Sequence, residues 1–363
     1  MMPLRYQAQG LSGVSGVFPI DLNSCSTDNP RALRDAFPIL LEPKLFHTYQ
    51  RSLTMKIKFV LLSVALSLGV LAFGQTVDSP SANRQDLSAL NAQHEPPMLG
   101  VHWARGFTPF ARVHPAGGKN PDMTYHGGVI MPSTVSEAIY WGPSWANSTF
   151  VGDKITGLDS WYSGFSNSNY AKTSDEYTGS NGQVGPVVTH NGHRIDLSTA
   201  SNGSSTSAIV AEVCKEITSP VSNGFYPVYV DVPRGNAGFC AYHTFGSCSG
   251  VTVQVAFFFH LDGDAGCDPQ DTSRLHSQGL AALANVSGHE LSEARTDPDS
   301  PGAWYDRRGQ ENGDKCAWTF NVPLVTFSNS TQWKIQGEWS NNAFNTGTGY
   351  PNSSGQRGCL DGH

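Results

Sequence analysis

An apolar segment well inside the chain constrains the fold more than any other feature. From Met55 it reads MKIKFVLLSVALSLGVLAFG, with Lys56 and Lys58 before a charge-free apolar run and small residues before Gln75. This order is typical of a secretory signal peptide, and the run is short for a membrane-spanning helix. We therefore expect residues 55–74 to be removed. The mature protein should be secreted, extracellular or periplasmic, with no stable membrane anchor.

A signal peptide opens a protein, so the residues before it need a separate explanation. Residues 1–54 show no regular hydrophobic period, and we interpret them as a mispredicted N-terminal extension. Residues 75–118 are polar and interrupted by prolines, which predicts a linker or a pro-segment. The sequence leaves open whether that segment is cleaved. The folded domain is expected to span residues 119–363.

Cysteine usage agrees with export. Without the extension, which holds Cys25, the chain keeps Cys214, Cys240, Cys248, Cys267, Cys316 and Cys359. An even number of cysteines in an exported protein predicts three disulfides, and the absence of a CxxC pair disfavours a cysteine zinc cluster. Spacing does not fix the pairing. Cys240 and Cys248 are near enough in sequence to close a small loop, and Cys316 with Cys359 is a second hypothesis.

Hydrophobic periodicity predicts a mixture of helices and strands. Helices are expected at 153–171, 207–217 and 273–296, and strands at 129–131, 136–141, 226–232, 238–243, 251–261, 317–320 and 333–339. The run at 251–261 is almost entirely apolar after Gln254, as in a strand buried on both faces. The fold class is therefore a single α+β domain, loop-rich and disulfide-stapled, with a mixed β-sheet. The net charge of -7 and the lack of a basic run give no reason to expect a nucleic-acid partner.

The third predicted helix carries the residues with chemical potential, in the run HELSE. His289 and Glu293 are four residues apart and so share one helix face, while Glu290 lies about 100° round the axis. In the HExxH motif of zincins, two ligands one turn apart hold zinc and the intervening Glu polarises water. Here a Glu replaces the second His, and a carboxylate is an acceptable zinc ligand. The pattern predicts a zincin-like domain in which this is the active-site helix.

Such a site needs a third protein ligand, and four acidic residues downstream are candidates. Asp297 follows on the same face, although Pro298 could displace it, and Asp299 lies ten residues after the first His. Glu311 and Asp314 lie further along, next to a cysteine that could pin their loop near the helix. We favour Glu311 and keep Asp314 as the alternative.

These residues predict a secreted metal-dependent hydrolase, with a peptide or protein as substrate. His289, Glu293 and Glu311 or Asp314 would hold zinc, with calcium or manganese as alternatives, because the extra carboxylate makes the site harder. Glu290 would be the general base, and Tyr305 and His243 are candidates for stabilising an oxyanion. Two other interpretations stay open: a non-catalytic binding or cell-surface module with a structural metal site, and a solvated helix that binds no ion.

Two resemblances bear on this prediction. The run HELSEARTDP…AWYD…GQENGDKCAW at residues 289–318 resembles a group of secreted bacterial proteins of unassigned activity that are described as zincin-like, and the similarity continues into QGEWSN at 336–341. More faintly, YHGGVIMPSTVSEAIYWG at 125–142 is similar to the phosphate-induced, exordium-type family of plants. The first resemblance implies metal roles for His289, Glu293 and Glu311, and the base role for Glu290.

Overall fold

The computed structural model describes residues 95–107 and 120–362, and all of them belong to one compact unit of the chain. The predicted N-terminal extension and signal peptide lie outside the described residues. Among the described helices, none has the length and apolar character that crossing a membrane requires.

The described chain contains short and long strands and six α-helices. The strands are β1 Leu99–Trp103, β2 Thr124–Tyr125, β3 Thr134–Trp141, β4 Thr178–Gly179, β5 Gly182–Gln183, β6 Val188–Asp196, β7 Gly224–Pro233, β8 Phe239–Cys248, β9 Val251–His260, β10 Trp304–Tyr305, β11 Val325–Thr326, β12 Gln332–Trp333, β13 Glu338–Trp339, β14 Tyr350–Pro351 and β15 Arg357–Leu360. The helices are α1 Ser148–Val151, α2 Lys154–Phe165, α3 Thr206–Glu216, α4 Gln278–Thr296, α5 Asn312–Lys315 and α6 Asn341–Thr346, with 3-10 turns at Pro143–Ala146 and Ala171–Ser174.

A mixed six-stranded sheet forms the centre of the fold, in the order β1-β8-β9-β7-β3-β6. The pairs β9–β7, β7–β3 and β3–β6 are parallel, whereas β8 runs antiparallel to β9 and β1 antiparallel to β8. Strand β9 is buried along most of its length, which confirms the prediction of a strand covered on both faces. The α+β class and the mixed sheet are therefore observed as predicted.

The side chains of β8 alternate between the two faces of the sheet, and this alternation determines which of them point towards α4. Gly246 lies so close to Val210 of α3 that a Cβ there would be 2.3 Å from Val210 Cγ1. Side chains two residues apart share a face, so Tyr242 and Thr244 also point towards α3. His243 therefore points to the opposite face, where α4 packs.

Helix α4 is unusual because every residue from Gly279 to Thr296 is buried. It begins at Gln278, later than predicted, because the Ser277 hydroxyl accepts a hydrogen bond from the Leu280 amide at 3.1 Å and caps the first turn. It ends before the Asp297-Pro298 step, where the sequence predicted its end. A helix buried on all sides usually lacks ionisable residues, and this one carries four.

The three disulfides are Cys214–Cys248, Cys240–Cys267 and Cys316–Cys359. Their number and the Cys316–Cys359 pair are confirmed. The suggested small loop between Cys240 and Cys248 is wrong, because both residues lie in the extended strand β8. Eight residues of strand separate their Cα atoms by roughly 26 Å, whereas a disulfide needs less than about 7 Å.

Two predicted strands are irregular backbone in the structure. At residues 129–131 the side-chain amide of Asn181 binds the Ile130 N–H at 2.9 Å and its C=O at 2.8 Å, so a side chain takes the place of a strand partner. Residues 317–320 form a turn with Trp318 at a φ of 59°. Conversely, β1 lies within the segment 75–118 that the sequence predicted as linker or pro-segment, so part of that segment is an ordered strand.

Candidate metal centre

Helix α4 brings His289 and Glu293 together as their spacing predicted. His289 Nε2 lies 3.1 Å from Glu293 Oε2, one helical turn along. The Glu290 carboxylate joins them, with one ligand atom of each of the three residues within 4.8 Å of the others. The three side chains are completely buried.

Two other elements add donors to the same point. His243 Nε2 of β8 lies 4.0 Å from Glu293 Oε2 and 3.4 Å from Oε2 of Glu311, the residue before α5. Asp314 Oδ1 is 3.8 Å from His289 Nε2. We refer to His243, His289, Glu290, Glu293, Glu311 and Asp314 as the central cluster.

The separations between these atoms suit a small divalent cation. Zinc binds imidazole nitrogen and carboxylate oxygen at about 2.0–2.2 Å with tetrahedral geometry, which places neighbouring ligand atoms about 3.3–3.6 Å apart. The separations of 3.1 Å for His289–Glu293, 3.4 Å for His243–Glu311 and 4.0 Å for His243–Glu293 bracket that range, and Glu293 belongs to both triads of candidate ligands. The donors are imidazoles and carboxylates, which is a set that zinc accepts.

The short helix α5 is built by its own acidic residues. Glu311 and Asp314 form a reciprocal capping box, in which Asp314 Oδ2 accepts from the Glu311 amide at 3.2 Å. The Asp314 amide in turn donates to Glu293 Oε1 at 2.8 Å. This bond fixes one oxygen of Glu293 to the backbone of α5 and leaves Oε2 directed at the two imidazoles.

Two glycines allow backbone to approach the cluster closely. A Cβ at Gly100 of β1, whose φ is +43°, would lie 2.0 Å from Glu293 Oε2 and 2.5 Å from His243 Nε2. A Cβ at Gly313 of α5 would lie 2.8 Å from His289 Nδ1. Any larger residue at either position would displace the side chains that form the cluster.

Gln336 holds the other side of the His289 ring. Its side-chain nitrogen lies 3.1 Å from His289 Nδ1 and donates to the Gly313 carbonyl at 2.9 Å. Its oxygen lies 3.0 Å from His102 Nε2. A metal on Nε2 of His289 needs the ring proton on Nδ1, so Gln336 would have to turn its amide and accept that proton with its oxygen, which would break its present bonds to the Gly313 carbonyl and to the Trp318 amide at 3.3 Å. Gln336 is therefore placed to set the tautomer of His289.

Burial dominates the electrostatics of the cluster. It raises the pKa of Glu290 well above its usual range, and the neighbouring carboxylates add to the shift. Burial likewise raises the pKa of Asp314, although 17% of that side chain remains exposed. The pKa of His289 falls to about 4, again through burial, with the nearby acids opposing the change. A divalent cation among these groups would favour the charged carboxylates and the neutral imidazole.

The site residues that the sequence suggested fall into two groups, those that meet at the central cluster and those that bind the turn after α4. His289, Glu290, Glu293, Glu311 and Asp314 all converge. Asp297 accepts a hydrogen bond from the Ala303 amide at 2.6 Å, and Asp299 accepts one from the Ser300 amide at 2.6 Å. Both carboxylates therefore bind backbone amides of the turn after α4.

Of the two oxyanion candidates, His243 belongs to the cluster, whereas Tyr305 stacks on His126 in the β2–β10 pair. Sequence reasoning missed His243 as a candidate ligand, and Gly100, His102 and Gln336 altogether. The QGEWSN run that begins at Gln336 was the available signal for that last residue.

A third group with metal-ligand residue types lies away from α4, between β6 and α3. Asp196, Glu212 and Glu216 surround the Lys215 amine, whose Nζ lies 2.5, 3.1 and 3.3 Å from their carboxylate oxygens. We refer to these four residues as the peripheral cluster. The cation that these three carboxylates surround is thus the Lys215 side chain.

Comparisons with protein-family models, with curated proteins and with solved structures returned no match for this chain.

Proposed function

We propose that the protein is a secreted metal-dependent hydrolase, most simply a zinc peptidase, on a zincin-like α+β domain. The observation that carries the proposal is that two buried triads, His289–Glu290–Glu293 and His243–Glu293–Glu311, share Glu293, with the separations that zinc ligands need between His289 and Glu293 and between His243 and Glu311. Three disulfides support export, since such bonds persist in oxidising compartments. The substrate would be a peptide or protein, and no nucleic acid is expected.

Each residue has a part in this proposal. His289 and Glu293 would hold the ion from one face of α4, with Glu311 as the third protein ligand and Asp314 as the alternative, so that a fourth position stays open for water, and His243 lies beside Glu293 and Glu311. A zinc ion there supplies Lewis-acid activation of water and of a substrate carbonyl. Glu290, beside the ligands on α4, takes the proton from the attacking water and delivers it to the leaving amine. Gln336 orients His289 through Nδ1.

The mixed donor set favours zinc over the other ions. Calcium prefers six to eight oxygen ligands, and two imidazoles with two carboxylates do not provide them. Manganese accepts imidazole and carboxylate and remains the closest competitor. Elemental analysis of purified, dialysed protein decides between zinc, manganese and no metal.

The test of hydrolysis compares the parent protein with Glu290→Gln on casein and on a peptide library, with and without chelator. We expect the parent to cleave, chelator to stop cleavage, and Glu290→Gln to lose about 100- to 10,000-fold in rate while retaining its metal. Glu216→Gln of the peripheral cluster is the matched control and should keep full activity. Equal cleavage by the parent and Glu290→Gln contradicts the proposal.

A second function is favoured by one specific observation. His243, His289, Glu293 and Glu311 are each at most 1% exposed, and four protein ligands with no open position are the mark of a structural zinc site. In that case the protein is a binding or cell-surface module. It would hold one ion, cleave nothing, and lose melting temperature when the ion is removed.

A further inference from the structure

The N-terminal strand β1 lies directly over the central cluster. Among the described strands it is at the edge of the sheet and pairs with β8 alone, where Leu99 is opposite His243. Its path therefore crosses the ligand-bearing part of β8. Because the cluster is buried and β1 touches it, the strand is part of what closes the cluster to solvent.

The strand approaches the cluster with its backbone at Gly100 and with the buried His102 ring, whose centroid lies 4.3 Å from that of His289. From Leu99 to His102 the strand advances three residues while its partners on β8 advance two, from His243 to Ala241, which is a bulge. Gly100 lies in this bulge with a positive φ, and it is the residue in contact with Glu293 and His243. An extended peptide with a small residue at this point could lie in the same way.

Polar contacts hold both ends of the strand. Upstream, the Glu95 carboxylate accepts from the hydroxyls of Ser205, Thr206 and Ser207 at the start of α3. Downstream, the Trp103 carbonyl accepts from Trp318 Nε1 at 2.9 Å. Three of the five residues of β1 are only partly buried. The segment is thus held by an edge ladder, by polar ends and by the His102 ring buried against His289 and Trp318, which is how a peptide docks on a sheet edge, with main-chain bonds for affinity and a side-chain pocket for specificity.

We propose that Leu99–Trp103 occupies the position of an extended peptide ligand, so that the chain carries an occupant of its own site. The proposal rests on the proposed function and deepens it. The ligand class is an extended peptide that pairs antiparallel with β8 and places a glycine against Glu293 and His243. Access to the cluster then requires that the segment 95–107 leave.

The experiment uses the chain from Gln75 onward with a recognition sequence for a sequence-specific protease placed between Phe107 and Asn120. After cutting, only non-covalent contacts hold the segment 95–107. A fluorescent peptide of the same sequence should then exchange into the cut protein within hours and not into the uncut protein, as measured by anisotropy. The uncut variant must show three disulfides and the melting temperature of the parent, which checks its folding.

Two peptide variants supply a matched comparison. Gly100 and Gly106 both have a positive φ, +43° and +81°, so alanine is strained at either position. A Cβ at Gly106 meets nothing within 4 Å, whereas one at Gly100 meets Glu293 and His243. We expect Gly100→Ala to bind at least tenfold more weakly than Gly106→Ala.

Three outcomes decide against the inference. Equal binding of the two alanine peptides places the peptide elsewhere. Absence of exchange within a day makes β1 a permanent strand. Casein cleavage measured in parallel separates the two proposals: equal cleavage by uncut and cut protein overturns the internal occupant and leaves the peptidase. Discrimination between the peptides with no cleavage supports the occupant and removes the peptidase.

Discussion

The central and the peripheral cluster use the same residue types and differ in what neutralises them. In the peripheral cluster Lys215, whose side chain is 51% exposed, lies within 3.3 Å of three carboxylates. In the central cluster the groups within 4.0 Å of Glu293 Oε2 include two imidazoles, which offer lone pairs when neutral. Acidic residues near one another therefore indicate a metal site only when their neighbours are donors to a metal as well.

Burial sharpens the same contrast. A half-exposed ammonium such as that of Lys215 contributes little to its ion pairs, because water screens them. Carboxylates taken into the protein interior cost several kcal/mol each unless a cation or hydrogen bonds compensate, and a divalent ion is the strongest compensation available. The central cluster thus has more to gain from an ion than the peripheral one.

The largest expected effect is on metal binding itself. Glu293→Gln keeps the shape of the side chain but removes the charge shared by His289 and His243. We expect zinc affinity to fall by more than about 100-fold, beyond the range of an outer-shell loss. Isothermal titration with zinc after chelator treatment measures it. Glu216→Gln, in the peripheral cluster, should bind zinc as the parent does, and an equal loss in both variants would mean that the two clusters do not differ.

A smaller effect is expected from the residue that orients His289. Gln336→Leu removes the amide beside Nδ1, so the ring loses the partner that fixes its proton. Zinc affinity should fall by about 10- to 100-fold. Gln332→Leu, at an exposed position of β12, is the control. Unchanged affinity in Gln336→Leu would show that the ring is held well enough by its other neighbours.

The smallest effect concerns stability against pH, and the two clusters should respond with opposite sign. The folded pKa of Glu290 is raised, so its cost grows as pH rises above the usual carboxyl value. The pKa of Asp196 is lowered, with Lys215 as the main favourable partner, although burial opposes the shift. Its contribution is present above the usual value and is lost as pH falls below it.

Thermal unfolding in chelator checks these signs. At pH 7 we expect Glu290→Gln to raise the melting temperature by roughly 3–10 °C and Asp196→Asn to lower it by about 1–3 °C. At pH 4 the gain from Glu290→Gln should vanish, whereas most of the loss from Asp196→Asn should remain. A gain that persists at pH 4 would show that the charge of Glu290 is not its cause.

Local features of the fold could be predicted from the sequence. The spacing of His289 and Glu293 fixes their common face, the apolar run fixes β9, and Asp297-Pro298 fixes the end of α4. These depend on residues close together in the chain. The edge strand β1 could not be found, because a five-residue run among prolines carries no period that distinguishes it from a linker.

His243 and Glu311 join the cluster only through contacts between elements that are far apart in the sequence. His243 reaches the cluster only because β8 is antiparallel to β9 and its odd-numbered residues face α4. Asp299 had the expected sequence distance and still serves the turn, whereas Glu311 arrives through a capping box that forms only once α5 exists. Spacing in the sequence predicted that His289 and Glu293 lie together. For the acidic residues downstream it gave only an order of preference.

The Cys316–Cys359 disulfide has a consequence for when the site is assembled. It ties the residue after α5 to β15, so oxidation adds a covalent restraint to the segment that carries Glu311 and Asp314. A chain kept reduced by cellular thiols would present His289 and Glu293 without that restraint. The ion that fills the site would then be chosen from the metals present where the chain is oxidised, and not from those where it is made.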